Sequence, residues 1–158
     1  MINAHDEIMG NLKFKPLYPE QRITTSDDDI GQLEAKLGQR LPSDYRRFLL
    51  KYGVTASDQS VFIPNIDSEV EVFYGINPDG NYDLGAHWHI LSDRLGSVAL
   101  PIATSPCGEI CILLVGKDAG AIYWWNREGK FGPETATFVA KDFGSFLTCL
   151  TNRGGSVE

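Results

Sequence analysis

The 158-residue chain, 42% hydrophobic and 11% aromatic, is long enough to bury one sizeable core and close to the length of a single domain. No stretch approaches the ~18 to 20 consecutive apolar residues of a membrane span, and Met1 to Gly10 has neither the basic nor the apolar region of a secretory signal, so the protein is expected to stay in the cytoplasm. A net charge of −7 argues against the basic clusters that displace phosphate counterions, and three cysteines are too few and odd in number for a disulfide framework.

Residues Met1 to Gln21 are weakly patterned, with Phe14, Leu17 and Tyr18 as anchors around Pro16 and Pro19, and read as an arm over 1–22 packed on the domain. Thr25 and Ser26 precede Asp27, Asp28 and Asp29, a run suited to capping a helix and complementing its positive end. Ile30, Leu33 and Leu37 supply the apolar face of that helix, and Gly38 suits its C-terminal stop. Leu41 to Gly53 specifies a second helix, on which the chain is organised. Pro42 suits its first turn, Ser43 and Asp44 bring acceptors and charge to its free amides, and Gly53 ends it. Tyr45, Phe48, Leu49 and Tyr52 form one apolar stripe, leaving Arg46, Arg47 and Lys51 to the solvent.

From Val54 the period changes from helical to alternating. Ser60 to Ile63 is a short β-rich run closed by Pro64, and Glu69 to Tyr74 alternates acid with apolar residues, as a strand with one wet face does. Asn77 to Asn81 is turn chemistry, after which Leu84, Trp88, Leu91 and Leu95 recur at helical spacing despite Gly85. Between Gly53 and Asp93 stand Asp58, Asp67, Glu69, Glu71, Asp79, Asp83 and Asp93 with no lysine or arginine, so the whole excess charge of the chain lies here.

Val98 to Ala103, Ile110 to Val115 and Ala121 to Trp125 are three β-branched or aromatic runs separated by turn-like Ser105 to Gly108 and Gly116 to Gly120, which predicts a β-meander at the centre of an antiparallel sheet. A weak strand at Thr137 to Val139 leads to Asp142, a cap for a last helix with Phe143, Phe146, Leu147 and Leu150 on its inner face. Thr151 to Glu158 reads as a frayed tail.

Little in this pattern supports catalysis or a cofactor. His87-x-His89 near Cys107 and Cys111 offers zinc ligand types, but Cys-x-x-x-Cys across a β-turn buries Cys111 in a strand and histidines two apart diverge on a helix. Glu69 and Glu71 share a strand face, where acids alternating with valine are solvated, and Cys107 or Cys111 with a histidine lacks any supporting motif. Trp124 and Trp125 face opposite ways, as core and rim of a sheet. Gly116-Lys117 lacks the spacing of a phosphate loop.

Three segments carry a family resemblance: Ile23 to Gly53, with its acidic-capped helix and Leu-Pro-x-Asp-Tyr helix; Leu100 to Gly116 followed by AIYWWNRE; and Phe138 to Leu150. Together they resemble the SUKH superfamily, the Smi/Knr-type domain of bacterial toxin-immunity proteins and fungal cell-wall regulators. The resemblance implies one α+β domain over 23–151, with a mixed or mainly antiparallel sheet flanked by N-terminal helices and a C-terminal helix, and residues 152–158 as a tail. It implies protein binding rather than catalysis: an immunity protein that neutralises a toxin domain, often a nuclease, or alternatively a regulatory or scaffolding adaptor. Charge then assigns the expected partner surface to Asp67, Glu69, Glu71, Asp79 and Asp83, facing a basic protein, with no cofactor, nucleic acid or membrane.

Overall fold

The structure is a computed structural model that describes residues 13–17, 25–57, 61–78 and 80–152. Most of the expected N-terminal arm, Asp58, Ser60, Asp79 and the tail beyond Asn152 lie outside the described residues.

Ser26 opens the first helix, α1 (Asp27–Leu37), through a reciprocal capping box: its hydroxyl accepts from Asp29 N at 3.1 Å, and the Asp29 carboxylate accepts from Ser26 N at 2.9 Å. Gly38 closes α1 at φ 74°, the left-handed conformation that lets its N–H reach the Glu34 carbonyl at 2.8 Å. In α2 (Ser43–Lys51), Tyr45, Phe48 and Leu49 are buried and Tyr52 packs against them, as the stripe requires. Three details differ from the sequence reading. Pro42 precedes the helix rather than entering its first turn, no side chain caps that end, and the helix stops at Lys51 with Tyr52 as cap. Asp44 instead accepts from Tyr45 N at 2.7 Å and from Gly144 N at 3.1 Å, tying α2 to the start of the last helix. Arg46 is not left to the solvent, because it sits where α1 and α2 meet and ion-pairs with Asp27 and Glu34, each at 3.1 Å.

The meander forms as expected. Strands β5 (Ala99–Ser105), β6 (Gly108–Leu113), β7 (Ile122–Trp125) and β8 (Ala136–Ala140) pair antiparallel in that order. Gly108 is required at the first turn, since a Cβ there would lie 2.7 Å from the Trp124 ring and from the Trp125 carbonyl. On the other side of β5, Phe73 bridges both Ala103 and Thr55, so the sheet continues to the antiparallel pair β2 (Thr55–Ser57) and β1 (Phe14–Pro16).

Alternation along the strands divides the interior between the two faces of this sheet. Ile110, Ile112 and Ile122 belong to the larger core, with Ile30, Leu33, Leu37, Tyr45, Phe48 and Leu49 of α1 and α2, and Phe143, Phe146 and Leu147 of α4 (Phe143–Cys149). Phe14, Phe48, Phe73 and Phe143 meet there edge to face or tilted, with ring centroids 4.9 to 6.5 Å apart. Cys111 and Trp125, opposite in parity, join Ala99 and the Leu91 and Leu95 side chains of α3 (Leu84–Leu95) in a second cluster. The helix read over Leu84 to Leu95 is complete, and Asp83 caps it by accepting from Ala86 N at 2.9 Å.

Two segments depart from expectation. Glu69 to Tyr74 is not one strand with a wet face: only β4 (Glu69–Val70) is regular, pairing with β3 (Val61–Phe62). The chain then runs beside β5, with Glu71 N bonded to Thr104 O at 2.9 Å and Tyr74 N to Ile102 O at 3.0 Å. Phe73 and Tyr74 are both buried because this stretch lies inside the sheet, where both faces are covered. Thr151 and Asn152, read as the start of a frayed tail, form β9 and pair antiparallel with β3, making a small sheet ordered β4, β3, β9. The architecture is α+β. No helix among the described residues is long and apolar enough to cross a membrane.

Candidate functional site: two groups of acids

The exposed group lies on the hairpin of β3 and β4. Asp67 is exposed in its turn, Glu69 is half-buried opposite Phe62, and Glu71 is exposed just beyond β4. The hairpin is fixed to the main sheet: the Ser68 hydroxyl bonds that of Ser105 and donates to Pro106 O at 3.2 Å, while Trp124 Nε1 donates to the Ser105 hydroxyl at 3.1 Å. The segment that carries these carboxylates is therefore tied to the main sheet at Ser68. No cation among the described residues lies within ion-pair distance of Asp67, Glu69 or Glu71.

Of the other two acids expected at the partner surface, Asp79 lies outside the described residues. The Asp83 carboxylate is engaged within the fold, since besides capping α3 it accepts from Asn77 N at 2.6 Å. Asp67, Glu69 and Glu71 thus lie on one hairpin segment, whereas Asp83 has a helix-capping task.

The second group was not singled out by the sequence. Glu109, in β6, is 1% exposed. Its register places it opposite Trp125, on the α3 side of the sheet. Tyr74 donates its hydroxyl proton to Glu109 Oε1 at 2.6 Å, and Arg127 Nη1 donates to Oε2 at 3.1 Å. His87 Nε2, from α3, lies 2.8 Å from the Tyr74 hydroxyl and 3.3 Å from Glu109 Oε1. Tyr74 has a single proton and gives it to the carboxylate, so the imidazole Nε2–H is the donor to the tyrosine oxygen. Burial, and then the negative charge of Glu109, hold the Tyr74 hydroxyl protonated far above the ordinary tyrosine value. Arg127 reaches the site from a backbone φ of 65°, with its carbonyl accepting from Arg94 and its guanidinium anchored on Glu109.

This cluster holds a buried charge. An unpartnered carboxylate at that depth would cost several kcal/mol, and here a phenol, a guanidinium and an imidazole surround it. Cys111, two residues along on the same face, has its thiol pushed well above the ordinary value by burial and then by Glu109, so it is disfavoured as a nucleophile. His89 and Cys107 are exposed and stand apart from this cluster. Among the described residues no three His, Cys, Asp or Glu side chains gather as metal ligands. The one signal of the Glu109 cluster in the sequence is a lone glutamate within a run of apolar β-formers, Gly-Glu-Ile-Cys-Ile-Leu.

Residues 24–149 match the SMI1 / KNR4 family (SUKH-1). The chain is also 28% identical, in an alignment 148 positions long that covers 80% of this chain and 75% of the relative, to the SPbeta prophage-derived uncharacterized protein YokK of Bacillus subtilis (strain 168).

Proposed function

The chain belongs to the SMI1 / KNR4 family (SUKH-1), and from that premise we propose that it is a non-catalytic protein-binding module, a cytosolic immunity protein that neutralises a basic toxin domain. The observation that carries this reading is the contrast in how the acids are engaged. Asp27 and Glu34 pair with Arg46, Glu109 with Arg127, and Asp83 and Asp142 cap helices. Asp67, Glu69 and Glu71 have no such partner among the described residues and stand on a hairpin fixed to the sheet.

A toxin that holds nucleic acid does so with lysine and arginine, and that same cationic site is what an unpaired row of carboxylates attracts and covers. Because no cation among the described residues pairs with these carboxylates, docking breaks none of the ion pairs described, and the field they project speeds encounter. Co-expression with a toxin domain encoded beside its gene tests the proposal: the chain should restore growth and be retained with the toxin in a pull-down. Replacing Asp67, Glu69 and Glu71 together with lysine should abolish both effects. Continued killing in the presence of the folded wild-type chain contradicts the reading.

A further inference from the structure

The long sheet ends in two edges of different character. At one end β1 reads Phe14-Lys15-Pro16, with an exposed lysine and a proline, both of which discourage another strand from pairing. At the other end β8 reads Ala-Thr-Phe-Val-Ala, with no charge, no proline and an exposed Phe138, its only irregularity a one-residue register shift against β7 at Val139. Among the described residues no strand pairs with its outer side. Phe138 stands at 56% exposure beside Tyr123, at a centroid distance of 5.7 Å, and Tyr123 contacts Phe131 at the same distance, so the open part of the face beyond α3 is an aromatic shelf.

We propose that β8 is a homodimer edge, pairing antiparallel with β8 of a second copy about a two-fold axis at Phe138, so that the two sheets become continuous. That axis sets Phe138 against its own copy, Thr137 against Val139 and Ala136 against Ala140, an uncharged cross-strand set. Charge complementarity selects the second copy as occupant. Glu134 and Lys141 bracket β8 at opposite ends, both are exposed, and neither is ion-paired within its own chain among the described residues. The antiparallel arrangement brings Lys141, just past the end of β8, to the end of the second copy's strand where the 133–135 turn carries Glu134, and does so twice. A parallel arrangement would bring lysine to lysine. A two-fold pairing also uses each edge once and stops, giving a closed dimer rather than a fibre.

Sedimentation of the full chain over a dilution series tests this, with amide exchange as a second readout. The expected result is a dimer near ~100 µM that dissociates on dilution, with the β8 amides losing protection as it does. Phe138→Lys should give a monomer that melts where the diluted, dissociated wild-type chain melts, since the side chain is exposed. Lys141→Glu should weaken the dimer roughly tenfold by setting like charges together, and Glu134→Lys added to it should restore the dimer. A wild-type chain that is monomeric at ~100 µM overturns the proposal, as does a dimer indifferent to Phe138→Lys or a double reversal as weak as the single one. Lysine at Asp67, Glu69 and Glu71, which tests toxin binding, should leave the dimer unchanged, so each reading can fail without the other.

Discussion

Glu109 and Glu71 are both glutamates at the main sheet, the first in β6 and the second alongside β5, and they illustrate opposite uses of a carboxylate. Glu109 is buried and accepts from Tyr74 and Arg127 with His87 at 3.3 Å, so its charge is consumed by the fold. Glu71 is exposed, contributes its backbone N–H to Thr104, and has no ion-pair partner among the described residues. Local sequence does not separate them, since each is flanked by β-branched or apolar residues. The separation comes from what the tertiary fold sets against each strand face. A carboxylate inside must be matched by donors or its desolvation is uncompensated, whereas one outside is available to another molecule.

The largest expected effect is on the buried member. Glu109→Ala removes the acceptor from Tyr74 and Arg127 and leaves a void, and should lower unfolding free energy by about 3 to 5 kcal/mol in urea titration, comparable with Phe48→Ala in the main core. A loss below about 1 kcal/mol would erase the distinction between the two groups.

Tyr45→Phe is next in size and opposite in sign. The Tyr45 hydroxyl is buried with no hydrogen-bond partner among the described residues, so removing it should raise stability by about 1 kcal/mol at neutral pH. It bears on alkaline stability too. Burial holds the hydroxyls of Tyr45 and Tyr74 protonated above the ordinary 10.0, and the Cys111 thiol above 9.0. In the unfolded chain these groups lose their protons from about pH 9 to 10 upward, while the folded protein retains them, so the folded state binds more protons and stability falls as pH rises through that window. Urea midpoints from pH 7 to 11 should show the fall, and Tyr45→Phe should flatten it.

The smallest expected effect is on the exposed member. Glu71→Gln should change unfolding free energy by less than about 0.5 kcal/mol, and the same holds for Asp67→Asn, read by the same titration. Larger losses would mean that the hairpin acids have internal partners.

Elements with a local specification were legible in the sequence. The capping run before α1, the stripe of α2, the spacing Leu84 to Leu95 and the three runs of the meander each carry their own period or cap, and each forms. What the sequence could not convey depends on distant partners. Glu69 to Tyr74 alternates like a surface strand, yet Phe73 and Tyr74 are placed inside the sheet by Thr55 on one side and β5 on the other. Thr151 and Asn152 look like a tail and become a strand only because β3 offers an edge. Arg46 looks solvated until α1 brings Asp27 and Glu34 beside it. In the candidate site, charge counting singled out Asp67, Glu69, Glu71, Asp79 and Asp83 but did not reveal that Asp83 would cap α3. It also passed over Glu109, whose partners Tyr74, His87 and Arg127 lie 35, 22 and 18 positions away along the chain.

The central claim is that the hairpin acids Asp67, Glu69 and Glu71 steer a basic partner, and the association rate measured against ionic strength tests it most directly. With the toxin domain recovered by co-expression, the wild-type rate should fall steeply as salt shortens the Debye length to ~8 to 10 Å. The chain carrying lysine at Asp67, Glu69 and Glu71 should associate at least about tenfold more slowly at low salt and lose that salt dependence. Equal rates and equal salt slopes for the two proteins would contradict the claim.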